Sequence, residues 1–230
     1  MKSLKTQQLF DLSLYKHAEI FDSSEFAWQI LSQITEYLKA YQNFKIEINV
    51  PSSAYLINPE FIAIGKGSVI EPGAYIKGPC IIGENCVVRH GAYIRGNFIA
   101  GNNCVIGHDT EIKNSLMLNN AHAAHFAYVG DSILGNGVNL GAGTKCANFK
   151  LNGGPIRLYY AGKFIETGLR KMGAIIGDGC QLGCNSVTNP GTVLGKNVFC
   201  YPCTNFGGYV EENSIVKPDT KISIKKNRNV

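Results

Sequence analysis

Five histidines are candidates for chemistry in this chain, and His125 has the most informative surroundings. A neutral imidazole can accept a proton near neutral pH, so a well-placed histidine could be a general base. An ordinary surface histidine is the simpler interpretation for His17, His90, His108 and His122. Around His125, however, cationic, amide and phenol side chains recur at related spacings, and these residues are Arg95, Lys113, Tyr128, Asn139 and Asn148. Together they could bind an anionic substrate and deprotonate a group on it.

These residues lie within a sequence repeat of period six. Aliphatic residues recur without a slip at Ile64, Ile70, Ile76, Ile82, Val88, Ile94, Ala100, Ile106 and Ile112. Two residues before most of them stands a second small side chain, at Ser68, Ala74, Cys80, Cys86, Ala92, Cys104 and Thr110. One large and one small inward position in every six is neither helical periodicity nor the alternation of a simple strand.

A six-residue unit is long enough for one short strand and one turn. Three units then close a triangular coil, and successive coils stack at the ordinary strand spacing of about 4.8 Å. The pattern resumes, with two steps of five, at Met117, Ala123, Val129, Leu134, Leu140 and Cys146, and again at Ile176, Leu182, Thr188, Leu194 and Cys200. In this register His125 follows the interior Ala123 by two residues, so its side chain is expected on the outer wall.

The repeat resembles the hexapeptide-repeat family. The resemblance implies a mainly β fold, a left-handed parallel β-helix despite the usual right-handed crossover preference, and a trimer with sites between subunits. To this we add a short N-terminal helical segment and an inserted β-hairpin. Because Ile156–Tyr160 alternates, Ala161–Lys163 turns and Phe164–Thr167 returns, the hairpin is expected within residues 147–173 and should be thrown out from the coil.

The organisation expected along the chain is a helical segment over residues 1–50, a β-helix over 51–222 and a basic tail over 223–230. Within the first segment, capping residues at 22–25 and one apolar face predict an amphipathic helix over 24–42, which could cover the open first coil. The tail could be disordered or could contact cofactor phosphates.

Composition places further bounds on the protein. A net charge of +5 with scattered basic residues does not call for nucleic acid, and no long apolar run calls for a membrane. Six of the eight cysteines occupy interior positions, as buried free thiols do. The motif Cys200-x-x-Cys203 lacks a second pair, so no metal is expected. A cytoplasmic, reducing location follows as an expectation.

A closer resemblance covers residues 95–148. The segments 124–131 (AHFAYVGD) and 137–144 (GVNLGAGT) are similar to the signature of the acetyltransferase domain in bifunctional N-acetylglucosamine-1-phosphate uridyltransferase/glucosamine-1-phosphate N-acetyltransferases. Residues 162–178 and 9–38 are more similar to the archaeal sugar-1-phosphate nucleotidyltransferase/acetyltransferase branch. No glycine-rich GxGTR nucleotide loop is present in the sequence, so uridylyl transfer is not expected.

The resemblance implies roles for the residues singled out above. His125 would be the general base for the attacking sugar amine, and Arg95 and Lys113 would hold the sugar phosphate. The acceptor would be oriented by Tyr128, Asn139 and Asn148.

Other implied roles concern the acyl donor, acetyl-CoA. The backbone N–H of Ala142 would stabilise the developing oxyanion. Arg157 and the later coils near Cys184 would be reached by CoA from a neighbouring subunit. Three positions depart from the family pattern: Ala124 replaces glycine, Phe149 replaces tyrosine and Cys184 replaces serine. The loss of a hydroxyl and the gain of a thiol could alter affinity or substrate choice.

The sequence therefore predicts an acetyl-CoA-dependent N-acetyltransferase acting on an amino-sugar phosphate, with glucosamine-1-phosphate in UDP-N-acetylglucosamine synthesis as the first candidate. Acetylation of another amino sugar or of a nucleotide-linked sugar is one alternative. A catalytically silent β-helix that serves as a subunit or scaffold is another. A carbonic anhydrase of this fold would need a His-x4-His pair, which the spacing of His122 and His125 does not provide.

Overall fold

The computed structural model describes residues 2–219 together with residues 223 and 226. Three eight-stranded parallel sheets form the faces of a triangular prism, and one two-stranded antiparallel hairpin is added to it. This parallel β-solenoid is consistent with the left-handed β-helix predicted from the repeat. The predicted basic tail at 223–230 lies outside the described residues, apart from residues 223 and 226.

Each coil contributes one strand to each face. The face that we call the open face consists of Tyr55–Ile57, Tyr75–Lys77, Tyr93–Ile94, Glu111–Lys113, Tyr128–Gly130, Lys145–Cys146, Val187–Thr188 and Asn205–Phe206. The covered face consists of Ile62–Ile64, Cys80–Ile82, Phe98–Ala100, Ser115–Met117, Ile133–Leu134, Ala174–Ile176, Thr192–Leu194 and Tyr209–Val210. The third face consists of Val69–Ile70, Val87–Val88, Val105–His108, His122–His125, Asn139–Leu140, Gln181–Leu182, Phe199–Cys200 and Ile215–Val216.

The predicted interior positions are confirmed. The six-residue register fills the prism with aliphatic side chains, all of which are buried, and the small positions beside them are buried as well. Vertical pairing follows the same register, because Ile76 pairs with Ile94, Ile94 with Ile112 and Ile112 with Val129. The two steps of five shorten the coil where they occur without breaking this column.

The corner between the covered face and the third face shows how the chain turns. Asn85, Asn103 and Asn120 each adopt a left-handed backbone conformation there, with φ of 55°, 58° and 60°. Asparagine tolerates this region better than most residues because its short polar side chain can bond locally. The same residue type at the same corner of successive coils therefore repeats the bend.

The N-terminal segment differs from the continuous helix predicted over 24–42. It contains short helical pieces, which are Lys2–Leu4, Thr6–Leu9, Ala18–Phe21, Ala27–Ser32 and Ile34–Ala40, and a further 3-10 turn at Pro59–Phe61 opens the next strand. A 3-10 turn ends at Gln33, whose N–H donates to the Ile30 carbonyl. The Gln33 side chain bonds Ser23 and Ser24, so the predicted capping serines bind this residue instead of a helix N-terminus.

The position of this segment also differs from the expectation that it covers the first coil. Its apolar residues pack along the covered face, where Trp28, Ile30 and Leu38 share one buried cluster with Ile81 and Ile99. Polar contacts run along both edges of this face, because Asn97, Asn114, Asn119 and Asn136 bond the segment at Thr35, Leu31, Leu14 and Asp11. The first coil is covered instead by residues 46–56, where Ile46 forms a β-bridge with Ile64.

The predicted hairpin is present, with strands Arg157–Tyr160 and Lys163–Glu166. It is joined by a two-residue turn in which Ala161 and Gly162 both have positive φ, as a tight hairpin requires. We expected the hairpin to project freely from the coil, and it does not. Ile156 and Leu158 are buried in the cluster on the covered face, and Tyr160 contacts Tyr209 there. None of the described helices is long and apolar enough to cross a membrane.

Candidate active site

Four predicted site residues lie on or beside the open face, and they are Arg95, Lys113, Tyr128 and Asn148. Three of them, Arg95, Lys113 and Asn148, define what we call the cation corner, where the open face turns into the covered face. Asp131, which is buried, organises this corner. Its carboxylate accepts from Lys113 Nζ at 2.8 Å, from Asn114 Nδ2 at 2.9 Å and from Asn148 Nδ2. Arg95 lies one coil before Lys113, and it donates to Glu111 at 2.7 Å.

Tyr128 lies between these ion pairs. Partial burial raises the pKa of the Tyr128 phenol, and the nearby Glu111 and Asp131 carboxylates raise it further, while Asn148 and Arg95 act in the opposite direction. The phenol therefore stays protonated at neutral pH and can donate a hydrogen bond. The cation corner and the adjacent Tyr128 thus offer two cations, each paired with a carboxylate, together with an amide and a phenol, and these donors could bind the oxygens of a phosphorylated, hydroxylated molecule.

His125 ends a strand of the third face, at the turn into the open face that we call the histidine corner. His90, His108 and His125 lie there on successive coils, with the first two rings stacked at 5.7 Å. The side chain of His125 is exposed. Its Nε2 lies 3.4 Å from Arg89 Nη1. Arginine can only donate, so Nε2 is the acceptor in this contact.

The backbone beneath His125 is tightly packed. Gly107 pairs with Ala124 on the neighbouring coil, and a side chain at Gly107 would overlap the Ala124 carbonyl. The turn that carries His125 can therefore approach the previous coil only because glycine stands there.

Two residues predicted to face the acyl donor continue the histidine corner. Gly143 N–H donates to the His125 carbonyl at 3.0 Å, and Asn185 N–H donates to the Ala142 carbonyl at 2.8 Å. Ala142 and Cys184 therefore occupy the same corner on the two coils that follow His125. Within the described part of the chain, the Ala142 N–H has no acceptor. The Cys184 thiol is exposed.

Asn139 and Arg157 lie elsewhere. Asn139 pairs with His122 and Gln181 within the third face, so it shares a sheet with His125 and not with Tyr128. Arg157 belongs to the hairpin, where it lies 4.0 Å from Glu166 and its guanidinium is 5.1 Å from the Phe164 ring centroid. Within one chain, the hairpin is packed on the opposite side of the coil from the histidine corner.

The histidine corner and the cation corner are separated within one chain. Lys113 pairs with Gly130, and Gly130 ends the open-face strand that follows His125 on the same coil. Tyr128 stands in that strand, between His125 and Gly130. An extended segment of this length spans on the order of 15 Å, so the imidazole and the Lys113 ammonium do not touch. One chain brings together Arg95, Lys113, Tyr128 and Asn148, and it brings together His125, Ala142 and Cys184, as two neighbouring groups.

Sequence reasoning did not assign a role to three residues at these corners. Arg89 contacts His125 from two coils away, Glu111 binds Arg95, and Asp131 holds Lys113 and Asn148. Coil arithmetic brings two of them within reach, because Arg89 stands one residue before the vertical column of His90, His108 and His125, and Glu111 pairs with Tyr93, two residues before Arg95. The charge on each partner gave the remaining signal.

Among residues 2–219, 223 and 226 there is no group of three or more histidine, cysteine or acidic side chains that could hold a metal ion. Cys200 is buried and Cys203 is exposed, so the two thiols of this motif face different surroundings. The other interior cysteines are buried free thiols, as predicted.

Comparisons with known proteins agree with the repeat. Residues 76–159 match the model of the GMPPB C-terminal domain, and residues 173–199 match the hexapeptide repeat of succinyl-transferase. The Bifunctional protein GlmU of Methanococcus maripaludis is 35% identical over 115 residues, which cover 50% of this chain and 28% of that protein. The Bifunctional sugar-1-phosphate nucleotidylyltransferase/acetyltransferase of Sulfurisphaera tokodaii is 36% identical over 88 residues, which cover 38% of this chain and 22% of that protein.

The matches therefore span under a third of the length of these curated relatives. Among solved structures, the Arabidopsis UDP-N-acetylglucosamine acyltransferase aligns with a TM-score of 0.43 and 15% identity, covering 74% of this chain and 69% of that chain, a likeness too low to bear on function. The resemblance stated from the sequence is confirmed by the family models and the curated relatives. By its repeat, its coil and these matches, the chain is a β-solenoid that is similar over part of its length to hexapeptide-repeat proteins and to bifunctional sugar-1-phosphate enzymes.

Proposed function

We propose that this protein is an acyltransferase that moves an acetyl group from acetyl-CoA to the amine of an amino-sugar phosphate. The observation that carries the proposal is the shared corner of His125, Ala142 and Cys184 on three successive coils. His125 could act as the base, Ala142 has a backbone N–H without an acceptor among the described residues, and Cys184 is exposed. Acyl transfer needs a base, an oxyanion donor and an accessible surface for the acyl donor. Glucosamine-1-phosphate is the minimal acceptor, in keeping with the resemblance of residues 124–144.

The reaction can be written with these groups. The neutral amine nitrogen attacks the thioester carbon, and His125 Nε2 takes a proton from that nitrogen as the new C–N bond forms. The amine replaces Arg89 as the hydrogen-bond donor to Nε2. The Ala142 N–H stabilises the oxyanion that develops on the acetyl oxygen. The C–S bond then breaks, and the imidazolium returns the proton to the departing thiolate.

The separation of the two corners supports a site shared between subunits. We propose a homotrimer in which His125 of one protomer faces Arg95 and Lys113 of a neighbour, with Arg157 and Asn139 completing the site from their own faces. Arg95 and Lys113 would then bind the sugar phosphate, while Tyr128 and Asn148 bind its hydroxyls. The cytoplasm, where acetyl-CoA is made and used, is the compartment that fits this chemistry.

The first experiment measures release of free CoA from acetyl-CoA with glucosamine-1-phosphate as acceptor. The wild type should turn over, and His125→Ala should reduce kcat by about 100-fold or more, the usual contribution of a general base. His90→Ala is the matched control, because His90 lies on the same corner two coils away and has no assigned role. Absence of turnover with every amino-sugar phosphate would refute the proposed activity.

The second experiment tests the shared site. His125→Ala and Lys113→Gln chains are each expected to be inactive, and they are mixed, dissociated and reassembled. A site shared between chains regains part of the activity in mixed trimers, because some interfaces carry both intact residues. A site built within one chain regains none. Mass measurements on the mixture verify that mixed trimers have formed.

A silent scaffold is the contrasting function, and one observation separates it from an enzyme. A scaffold has no need of a buried carboxylate that orients a lysine and an amide, yet Asp131 does this at the cation corner. The CoA-release assay decides between the two, because a scaffold gives no turnover in the wild type.

A further inference from the structure

Two parallel columns of side chains run along the open face through its first coils. The first column is aromatic and consists of Tyr55, Tyr75 and Tyr93. The second is cationic and consists of Lys77, Arg95 and Lys113. The cationic column leads from the N-terminal coils into the cation corner, and the aromatic column continues beside it to Glu111 and Tyr128. Sequence reasoning assigned no role to the three tyrosines or to Lys77.

The aromatic column is fixed by strand register. Tyr55 pairs with Tyr75, and Tyr75 pairs with Tyr93, so the rings stand on successive rungs at a spacing of about 4.8 Å. Tyr55 is 61% exposed and Tyr93 is 44% exposed, while the rings of Tyr75 and Tyr93 meet edge to face at 5.2 Å. The sheet therefore holds three tyrosine rings at its surface on three successive coils, and another planar ring can stack on an exposed face of one of them.

The cationic column stands two residues farther along the same strands. Arg95 also lies near the Tyr93 ring, at 6.0 Å from its centroid, which ties the two columns together. Arg95 and Lys113 already have carboxylate partners in Glu111 and Asp131. Lys77 is exposed, and in the described ranges of the chain it belongs to no ion pair. The column therefore has three cations beside two carboxylates, and Lys77 is the cation in excess.

We propose that these columns bind a nucleoside diphosphate, so that the acceptor is a nucleotide-linked amino sugar. The inference rests on the proposed acyl transfer and names its substrate class. The phosphate next to the sugar meets Arg95 and Lys113, the second phosphate meets Arg95 and Lys77, and the base stacks on Tyr75 or Tyr93. The cations stand on successive rungs about 4.8 Å apart, beside the column of rings. The two phosphates and the base of such a molecule could therefore be bound side by side.

Charge favours this ligand over a second copy of the chain. The outward residues of the third face at the same coils are Val69, Val87 and Val105, which could cover tyrosine rings but carry no charge. The carboxylate that follows the first of these strands, Glu71, already accepts from the His90 N–H. A nucleoside diphosphate supplies both an aromatic ring and negative charge. The acceptor would therefore approach from the N-terminal coils, while the acyl donor lies toward Ala142 and Cys184.

Binding is tested first without catalysis, by calorimetric titration of the full-length protein with UDP, uridine and inorganic phosphate. UDP should bind more tightly than either fragment. Lys77→Gln and Tyr75→Ala should each weaken UDP binding about ten-fold, since one base–aromatic stack or one phosphate contact has about that effect. Lys163→Gln and Tyr159→Ala are the matched controls, because both residues are exposed on the hairpin, and they should leave UDP binding unchanged.

The kinetic arm compares acetyl transfer to UDP-glucosamine with transfer to glucosamine-1-phosphate. The wild type should prefer UDP-glucosamine by at least about ten-fold in kcat/KM, and Lys77→Gln should reduce this preference. Equal or lower kcat/KM for UDP-glucosamine, or UDP binding that the column variants do not change, would overturn the inference. A loss of oligomer mass in Tyr75→Ala would assign the aromatic column to a subunit contact and would also overturn it.

The two proposals fail in different ways. If UDP binds through the columns but no amine is acetylated, the acyltransferase proposal fails and the nucleotide site stands. If glucosamine-1-phosphate is acetylated and UDP does not bind, the activity stands and the nucleotide inference fails.

Discussion

The covered face and the open face have the same interior and opposite exteriors. On the covered face, the outward residues of successive strands are apolar and nearly or fully buried, and they are Ala63, Ile81, Ile99, Leu116, Ile133, Ile175 and Val193. On the open face, the equivalent column is aromatic, charged or polar except at Val187, and it consists of Tyr55, Tyr75, Tyr93, Glu111, Tyr128, Lys145, Val187 and Asn205. The N-terminal segment and the hairpin pack on the first of these faces and leave the second available.

This contrast shows that two independent patterns are written into one repeat. The inward residues specify the coil, because they fill the prism in the same way on every face. The outward residues decide what each face contacts. An apolar outward column becomes a second core when the chain folds back on it, and a polar one remains free to bind a ligand.

The largest expected effect compares truncations at equivalent outward positions. Ile99→Ala should lower the free energy of unfolding by about 2–5 kcal/mol, because it opens a cavity between the covered face and the N-terminal segment. Tyr93→Ala, on the half-exposed open face, should change it by less than about 1 kcal/mol. Chemical denaturation of both variants measures the difference. Equal losses would mean that the open face is also a packed interface.

A substitution at the cation corner should affect both stability and activity. Lys113→Gln leaves the buried Asp131 carboxylate with its two asparagine donors but without its cation, at a cost of about 1–3 kcal/mol of folding free energy. Activity toward the sugar phosphate should fall by more than this loss of stability explains. The matched variant Lys145→Gln changes an exposed lysine on the same face and should be nearly neutral. Denaturation and the CoA-release assay are run on the same preparations.

Acid should loosen the covered face before the open face. Burial lowers the pKa of His17 to about 4 from its usual value near 6.5, because the ring is enclosed by the N-terminal segment. The unfolded chain therefore binds the proton more readily, and stability that is complete above pH 6.5 is lost as the pH falls toward 4. The slope should not exceed about 1.4 kcal/mol per pH unit.

The measurement for this pH effect is denaturation of the wild type and His17→Gln between pH 4 and pH 7. Glutamine can keep a hydrogen bond to Tyr37 but does not titrate in this range. The wild type should lose more stability than the variant over this interval. Parallel curves would show that His17 does not drive the effect.

The smallest expected effect concerns the exposed thiol beside the proposed acyl-donor surface. Cys184→Ser restores the hydroxyl that the family pattern carries, and one hydrogen bond is worth about 0.5–1.5 kcal/mol. The KM for acetyl-CoA should therefore fall by about two-fold to ten-fold with no change in stability. Cys203→Ser, on the next coil of the same corner, is the control. An unchanged KM in Cys184→Ser would separate this coil from the acyl donor.

Much of the fold can be predicted from the sequence because one physical requirement explains the repeat. An inward position every sixth residue can be filled only if the chain turns at the same interval, so residues 64–112 predict coil, register and core together. The hairpin follows from local alternation and a turn with Gly162. The N-terminal segment was predicted less well, since an apolar helical face does not specify which surface covers it, and the apolar outward column of the covered face was the signal that we did not use.

The sequence by itself determined the coil, the buried cysteines and the identity of the polar residues that stand outside it. Only the tertiary structure decided their grouping, which placed His125 with Ala142 and Cys184 at one corner, and Lys113 with Asp131 and Asn148 at another. The reason is geometric: stacking makes neighbours of residues separated by whole coils. His125 and Lys113 are close in sequence, but they stand at opposite edges of the open face. Their side chains are therefore not brought together within one chain.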